Sequence, residues 1–227
     1  MPIVQVQQVT RSYQQGEHSV LALRGVDLNI EEGEFTVLMG ASGSGKTTLL
    51  NIIGGLDVAD SGKVVVDGRP FDKLSSAALS DIRLKRLGFV FQAYNLIPVL
   101  SAYENAEFVL LLQGMPAKKR KQRVMDTLKA VGLMGMEHRK PSELSGGQQQ
   151  RVAVARAIAG HPALVLADEP TANLDSKTSN ALIALMKELN TTQNITFLFA
   201  THDPKVMAAA KRVVTMEDGQ IISDETR

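Results

Sequence analysis

A glycine-rich loop at residues 40–47 is the first segment with a recognisable chemical role. Its sequence, Gly-Ala-Ser-Gly-Ser-Gly-Lys-Thr, matches the phosphate-binding spacing G-x-x-x-x-G-K-[ST]. Glycines let backbone N–H groups curve around phosphate oxygens, and a following helix adds the positive end of its dipole. In such a loop Lys46 can bridge the outer phosphates of a nucleotide, while the Thr47 hydroxyl can ligate Mg²⁺. A plain connecting loop is the alternative, but this loop lies between a strand-like run and a helix-like segment, as a phosphate cradle requires.

Two acidic residues, Asp168 and Glu169, directly follow the apolar run 164–167. A buried strand of a parallel sheet would deliver both carboxylates to the carboxyl edge of the sheet, where such folds bind ligands. Asp168 is then suited to hold Mg²⁺ through water, and Glu169 to take a proton from an attacking water. Alone, the pattern is that of a strand entering a solvated loop; paired with the phosphate loop, it indicates nucleotide hydrolysis.

A second anion site is predicted at residues 144–148, which read Leu-Ser-Gly-Gly-Gln before a helical segment. Ser145 is a good N-cap, and Gly146 and Gly147 permit an anion to approach exposed N–H groups. Taken by itself, this segment is only a capped loop. The chain offers two such anion sites, whereas only one Asp-Glu pair follows directly on an apolar run. One explanation is that each site supplies half of a pocket shared between two copies related by a two-fold axis.

Strand-like and helix-like segments alternate around these residues, which is the pattern of an α/β fold with a mostly parallel sheet. Early strands are predicted at 3–9 and 25–30, joined by a polar turn near 15–18, and a hairpin is predicted at 213–223. Further strands are predicted at 35–39, 63–66, 88–92, 164–167 and 195–200, and helices at 46–53, 103–112, 117–131, 147–159 and 177–189. The helical character of residues 95–160 predicts a helical block inserted into an α/β core.

Composition limits the class of protein. The 227 residues are 44% hydrophobic and 22% charged, which is ordinary for a soluble globular protein. The formal net charge of +1 gives no long-range field for nucleic acid, and the lack of cysteine excludes disulfides, thiolate catalysis and cysteine zinc sites. Apolar stretches fall short of the roughly 20 residues that span a bilayer, and the N-terminus lacks a signal-peptide pattern. We therefore expect a soluble, cytoplasmic protein that reaches any membrane through partners.

The loop at 40–47, the run at 144–148 with the Gln-Gln-Arg that follows it, and the acids at 168–169 resemble those of ABC transporter ATP-binding subunits. The resemblance covers essentially the whole chain and implies a single ABC ATPase domain at 1–227. It implies a P-loop NTPase (RecA-like) core with an N-terminal antiparallel β subdomain at 1–94 and 161–227, and an inserted α-helical subdomain at 95–160. The run at 144–148 is then the signature motif, which closes on ATP held by the other subunit.

Four further positions resemble functional residues of that family. Gln92 resembles the Q-loop glutamine that touches Mg²⁺ and senses the membrane partner, and Asp175 ends a segment similar to the D-loop. His202 resembles the switch histidine at the γ-phosphate, although a histidine after a strand is often structural. Tyr13 resembles the aromatic residue that stacks on adenine, although it could simply cap the core.

The expected site follows from these matches. The expected catalytic residues are Glu169, His202 and Lys46, and the expected metal ligands are Thr47, Gln92 and Asp168. The expected nucleotide-binding residues are Tyr13, Gly40, Ala41, Ser42, Gly43, Ser44, Gly45, Lys46, Thr47, Thr48, Gln92, Ser145, Gly146, Gly147, Gln148 and Asp175.

Three segments narrow the resemblance, since residues 51–57, 88–98 and 146–151 are similar to the lipoprotein-releasing and macrolide-exporter branch. In that branch the ATPase pairs with a permease that carries a large periplasmic domain, and ATP cycling drives motion across the membrane. The resemblance implies ATP and Mg²⁺ as cofactors, and a second copy of the chain and an integral membrane permease as partners. It also implies a peripheral location on the cytoplasmic face of the inner membrane. Because the chain ends soon after the predicted hairpin, we expect no fused permease or regulatory domain.

Two other functions stay open. A soluble ABC-type ATPase acting on nucleic acid usually carries a coiled-coil insertion or tandem cassettes, and the sequence shows neither. Its near-neutral charge also offers no track for a phosphate backbone, so no nucleic acid is expected. The other function is a regulatory or signalling subunit that binds ATP, with little turnover, and acts through a membrane complex. The basic run at 118–121 is interpreted as a solvated helix face, with contact to lipid headgroups as the alternative.

Overall fold

A six-stranded sheet lies at the centre of the residues that the computed structural model describes, 2–16 and 18–227. Its strands are β3 (Phe35–Met39), β6 (Leu87–Val90), β7 (Leu164–Asp168), β8 (Thr196–Thr201), β9 (Arg212–Glu217) and β10 (Gln220–Thr226). Their spatial order is β10-β9-β3-β8-β7-β6, and only β10, antiparallel to β9, breaks the parallel arrangement within the described residues. β3, β7 and β8 are buried over nearly their whole length, as unbroken apolar runs in parallel sheets are. The predicted α/β fold is confirmed.

A second, antiparallel sheet is built mainly from the N-terminal residues. It contains β1 (Pro2–Gln15), β2 (His18–Glu31), β4 (Ser61–Val66) and β5 (Arg69–Pro70), in the spatial order β2-β1-β4-β5. The strands predicted at 3–9 and 25–30 are correct in type but too short, because the ladder between β1 and β2 continues as far as the pair Gln15–His18. The predicted turn near 15–18 includes Glu17, which lies outside the described residues.

Seven α-helices occur in the described part of the chain: α1 (Lys46–Ile53), α2 (Ser76–Arg86), α3 (Ala102–Leu112), α4 (Ala117–Ala130), α5 (Gly146–Ala159), α6 (Ser176–Gln193) and α7 (Pro204–Ala209). Three of them, α3, α4 and α5, follow one another between β6 and β7, in the segment where a helical block was predicted. The division of the chain into subdomains at 95 and 160 stays a prediction. Within the described residues, none of the helices is long and apolar enough to cross a membrane.

The two faces of the central sheet pack against different layers, because alternate side chains of a strand point to opposite faces. On one face Val37, Phe197 and Phe199 pack with buried residues of α3, α4, α5 and α6. On the other face Leu38 and Leu198 pack with α1 and with the antiparallel sheet. The carboxyl edge of the central sheet therefore lies between the two layers.

Two helices, α2 and α7, were not predicted from the sequence. Ile82 is the one fully buried residue recorded for α2, so its apolar periodicity is weak, although Ser75 caps its first turn by accepting a hydrogen bond from the Ala78 N–H. α7 spans six residues, less than two helical turns, and begins at Pro204. Neither helix presents a face wide enough for a pattern of apolar residues to reveal it.

Candidate nucleotide site

One cavity of about 480 Å³ collects most of the predicted site residues at the carboxyl edge of the central sheet. The loop after β3, the last residue of β7 and the residue after it, and the residue after β8 all reach this edge because the three strands are parallel. The cavity is lined by Tyr13, Ala22, Ser42, Gly43, Gly45, Lys46, Thr47, Thr48, Gln92, Asp168, Glu169, Ala172 and His202.

The phosphate loop has the conformation that its glycines allow. Gly45, the N-cap of α1, has a φ of 102°, and a Cβ atom there would lie 2.7 Å from the carbonyl oxygen of Ala22. Gly43 also has a positive φ, of 82°, and a Cβ atom placed there would meet nothing within 4 Å. Gly45 therefore lets the loop pack against strand β2, and Gly43 leaves room above the loop for an anion.

The Lys46 ammonium is held inside this loop. Its Nζ atom donates to the carbonyl oxygens of Gly40 and Ala41, at 2.7 and 2.8 Å. Burial lowers the pKa of Lys46, and the negative charges of Glu169 and Asp168 oppose that effect. The positive charge is therefore fixed at the floor of the cavity and faces two carboxylates.

The donor set at Thr47 and Asp168 suits a hard cation. The Thr47 hydroxyl donates to Asp168 Oδ1 across 3.1 Å, and Gln92 lines the same cavity. Burial raises the pKa of Asp168, and the Thr47 hydrogen bond and the Lys46 charge oppose that effect. A hydroxyl, a carboxylate and an amide supply oxygen donors, which are the ligands that Mg²⁺ prefers. These residues therefore fit the predicted magnesium site.

Glu169 is positioned by the end of the neighbouring strand. Its backbone N–H donates to the carbonyl of Ala200 at 2.8 Å, and its φ is 44°. The Thr201 hydroxyl donates to Oε2 at 2.7 Å, and Oε1 lies 2.7 Å from His202 Nδ1. The carboxylate is mostly buried, at 18% exposure, whereas the His202 side chain is 74% exposed. The side chain of Glu169 is thus fixed in the cavity, and that of His202 projects beyond it.

The signature loop lies apart from this cavity within one chain, since residues 145–148 are not among its lining residues. Ser145 is exposed and caps α5, accepting from the Gln148 N–H at 3.3 Å, while Gln148 Oε1 accepts from the Ser145 N–H at 2.9 Å. Asp175 is the N-cap of α6, and a Cβ atom on Gly147 would lie 2.2 Å from Thr178 Cγ2. The signature loop and Asp175 therefore form a second group of predicted residues, on the adjoining starts of α5 and α6.

Two further contacts near the site were not predicted from the sequence. Thr201 holds Glu169, and Asn173 Nδ2 donates to the carbonyl of Gln92 at 2.9 Å, which links the segment before α6 to the Q-loop. A hydroxyl at the end of a buried strand could have indicated Thr201. No local pattern indicates the contact of Asn173, because its partner lies on a different strand end.

The family model described as "ABC transporter" matches residues 23–172 of this chain. A similar relative is the uncharacterized ABC transporter ATP-binding protein MJ0796 of Methanocaldococcus jannaschii, 44% identical over 98% of this chain and 97% of that protein. Another is an uncharacterized ABC transporter ATP-binding protein of Thermotoga maritima, 43% identical over 99% of this chain and 96% of that protein. The macrolide export ATP-binding/permease protein MacB of Mannheimia succiniciproducens is 42% identical over 99% of this chain. The chain spans only 35% of MacB.

Two similar solved structures are dimers of MJ0796. A post-hydrolysis dimer bound to ADP and Pi matches with a TM-score of 0.90 at 44% identity, and another dimeric structure with 0.91 at 43%; each covers 98% of both chains. The structure of cbiO1 from Clostridium perfringens, part of the cbiONQ transporter complex, matches with a TM-score of 0.89 at 30% identity, over 99% of this chain and 88% of that one.

Proposed function

Because this chain belongs to the ABC transporter family, we propose that two copies of it enclose two MgATP molecules, each site formed by one copy's phosphate loop and the other copy's signature loop. The chain is an ATP-binding cassette and an ATPase of that family. The observation that carries the proposal is the separation within one chain: Lys46 and Glu169 line the cavity, whereas Ser145 is exposed and belongs to another surface. A second copy can supply the missing half of the cavity.

Each side chain of the cavity has a proposed task. Lys46 neutralises charge on the outer phosphates, and the N–H groups of the loop bind their oxygens. Thr47, Asp168 and Gln92 hold Mg²⁺, which neutralises phosphate charge when bound. Phosphoryl transfer depends mainly on positioning and charge stabilisation, so a fixed floor of this kind is what the reaction needs.

Glu169 is the proposed base. Its carboxylate lines the cavity and accepts the proton of the attacking water, while the Thr201 hydroxyl keeps the side chain in place. His202, largely exposed beside Glu169, is suited to contact the transferred phosphoryl group. Tyr13 lines the same cavity and offers its ring to the adenine. Closure of the second copy then completes the site through Ser145, Gly146, Gly147 and Gln148, with Asp175 at the interface.

A separate integral membrane permease is the proposed partner. The proposed location is peripheral, on the cytoplasmic face of the inner membrane. A groove of about 410 Å³ between the central sheet and α3 supports this partner. It is lined mainly by apolar side chains, among them the partly exposed Leu56, Phe108 and Leu112. Its position next to Phe91 and Asn95 joins it to the Q-loop, so motion of a permease segment seated there reaches Gln92. Lipoprotein release or macrolide export is the proposed class of transport.

Glu169→Gln is the direct test of the proposed base. The substitution keeps the shape of the side chain and removes its basicity, so steady-state ATP hydrolysis should fall at least about 100-fold. ATP binding by calorimetry should be retained, and size-exclusion chromatography with ATP should show a trapped dimer. Glu188→Gln, at an exposed position of α6, should hydrolyse ATP like the original protein. Near-normal turnover by the Glu169 variant would remove Glu169 from the role of base.

The shared site is tested in the same Glu169→Gln background by Ser145→Ala. Ser145 and Ser101 both cap a helix within a capping box, so Ala at either position should cost about 1 kcal/mol of stability. Only Ser145→Ala should weaken the ATP-dependent dimer, because Ser101 caps α3 and lies outside the signature loop. The affinity of the monomer for ATP should be unchanged in both. Equal loss of monomer binding in the Ser145 variant would contradict the shared site.

A further inference from the structure

The ring of Tyr13 is held by two charged side chains, Arg11 and Asp57. The Tyr13 hydroxyl donates to Asp57 Oδ2 at 2.6 Å, and the Arg11 guanidinium carbon lies 4.9 Å from the ring centroid. Arg11 also donates two hydrogen bonds to the Asp57 carboxylate, from Nε to Oδ2 at 3.1 Å and from Nη2 to Oδ1 at 2.7 Å. We call these three residues the tyrosine clamp. In this clamp the Tyr13 hydroxyl is held by Asp57, and the Arg11 guanidinium lies over the ring.

Asp60 fastens the clamp to strand β1. Its carboxylate accepts from Arg11 Nη1 at 2.8 Å and from the N–H and hydroxyl of Ser12 at 2.7 and 2.6 Å. Its own N–H donates to the carbonyl of Thr10 at 2.9 Å. The pairing of β1 with β4 ends at Thr10 and Ser61, so this network continues the attachment of β1 up to Tyr13.

The loop that carries Asp57 is also the continuation of the phosphate helix. α1 begins at Lys46 and ends at Ile53, and the N–H groups of Leu56 and Asp57 both donate to the carbonyl of Asn51, at 2.8 and 3.3 Å. Asp57 is therefore tied to the last turns of the helix whose first residue lies in the phosphate loop. One continuous stretch of chain thus runs from Lys46 in the phosphate loop to the carboxylate that holds the Tyr13 ring.

The clamp remains charged at neutral pH. Burial raises the pKa of Asp57, but hydrogen bonds from Tyr13, the Val58 N–H and Arg11 outweigh that effect and hold the pKa below its usual value. The carboxylate therefore accepts from both neighbours as an ion, and charge-assisted hydrogen bonds of this kind are stronger than neutral ones.

We propose that Arg11 and Asp57 are positioning residues for the purine base, because they orient Tyr13 from one side and leave its ring available to the cavity. This inference rests on the proposed contact between Tyr13 and the adenine of ATP. Neither Arg11 nor Asp57 lines the cavity, so they act through Tyr13 and not on the nucleotide. The alternative is that the clamp only stabilises the antiparallel sheet.

The test compares two ligands, ATP and inorganic tripolyphosphate, which carries the phosphates without a base. Tyr13→Ala should weaken ATP binding by about tenfold or more, and Asp57→Asn and Tyr13→Phe by about five- to tenfold, because base stacking is lost or misaligned. All three should bind tripolyphosphate within about twofold of the original protein. In hydrolysis, Asp57→Asn should raise KM for ATP and leave kcat unchanged.

The chain offers a matched control in Asp67→Asn. The Asp67 carboxylate accepts two hydrogen bonds from Arg86, from Nε at 2.6 Å and from Nη2 at 3.1 Å. The side chains of Asp67 and Asp57 are both 21% exposed. This second Arg–Asp pair joins the antiparallel sheet to α2 and does not touch Tyr13. Asp67→Asn should leave the affinity for both ligands unchanged, whatever it does to the melting temperature.

The outcomes separate the two claims. If Tyr13→Ala leaves ATP binding unchanged, the adenine contact is wrong, and the positioning inference falls with it. If Tyr13→Ala weakens ATP binding but Asp57→Asn and Tyr13→Phe do not, only the positioning inference is overturned. An equal loss of tripolyphosphate affinity, or a further loss when Asp57→Asn is added to Tyr13→Ala, also overturns it. Should Asp57→Asn fail to fold, Tyr13→Phe, which keeps the Arg11–Asp57 pair, decides alone.

Discussion

At the scale of single residues, the geometry around Glu169 shows what the sequence could and could not predict. Glu169 and His202 were both expected at one sheet edge because each follows a buried strand, and their side chains are 2.7 Å apart. The hydroxyl of Thr201 could have been noted at the end of its buried strand, but its contact with Glu169 was not predicted, because that contact depends on the register that pairs Asp168 with Ala200. A shift of one residue would send the hydroxyl to the opposite face of the sheet. Their catalytic roles stay predictions.

Thr201→Val is expected to lower kcat by about tenfold, because the hydrogen bond to the charged carboxylate is lost and Glu169 is less well placed. The substitution also removes the acceptor of the Asp203 N–H, which lies 3.0 Å from the Thr201 hydroxyl. KM for ATP should stay unchanged, since Thr201 is not a lining residue of the cavity. Steady-state kinetics with ATP and Mg²⁺ makes the comparison.

The control for this substitution lies on the same strand. Thr196→Val removes a buried hydroxyl that accepts from the Gly33 N–H at 3.0 Å, at the opposite end of β8. It should cost about 1 kcal/mol of stability and leave kcat unchanged. If both valine variants lose kcat alike, the effect belongs to the strand and not to Glu169.

At the scale of elements, the five predicted helices begin within one residue of their predicted starts, whereas the contacts between helices were not predicted. The sequence Ser-x-x-Gln at 145–148 is a local capping signal, and α5 begins at Gly146, one residue from the predicted start. The closeness of α5 to α6 is a different matter, because it depends on Gly147 lying beside Thr178. Thr178 is fixed by its hydroxyl, which donates to Asp175 Oδ2 at 2.6 Å. Only the folded chain brings these residues together.

Gly147→Ala should lower the free energy of unfolding by about 1–3 kcal/mol, because the new methyl group would lie 2.2 Å from Thr178 Cγ2. Adding Thr178→Ser removes that methyl group and keeps the hydroxyl, so the double variant should recover most of the loss. Urea unfolding of both variants and of Thr178→Ser alone measures the effect. Similar stability of Gly147→Ala and the original protein would show that the helices separate without cost.

At the scale of the whole molecule, one arginine joins the two sheets. Arg212 on β9 donates through Nη1 to the carbonyl of Asn29 on β2 and to Glu34, and through Nε and Nη2 to Asp224 on β10. The alternation of strand-like and helix-like segments predicted the central sheet, and the family resemblance implied the antiparallel one. How the two sheets are fastened was not predictable, since Arg212 stands in no motif and its partners come from three separate segments.

The pair of Arg212 and Asp224 should make stability depend on pH. The hydrogen bonds from Arg212 lower the pKa of Asp224 below its ordinary 3.8, and burial opposes them only in part. A carboxylate with a lowered folded-state pKa stabilises the fold above its unfolded pKa and loses that contribution as the pH falls through the folded value. Because Asp224 is 41% exposed, Asp224→Asn should cost less than about 1 kcal/mol at pH 7.

Urea unfolding at pH 7 and at about pH 3 tests this prediction. The difference between the original protein and Asp224→Asn should be present at pH 7 and should shrink as the pH falls below 3.8. Asp72→Asn, at an exposed position, should change stability by less than about 0.5 kcal/mol at pH 7. A difference that persists undiminished in acid would show that the asparagine perturbs packing and not the charge pair.

The side chain of Lys46 is already ordered when the chain has folded, before any ligand binds. Two of the three N–H donors of its ammonium are already engaged by carbonyls of the loop. An unrestrained lysine side chain has about 2 kcal/mol of rotamer entropy, and here that entropy is given up as the chain folds. It therefore does not subtract from the affinity when an anion arrives. We therefore expect the entropy of anion binding at this loop to contain little contribution from ordering of the Lys46 side chain.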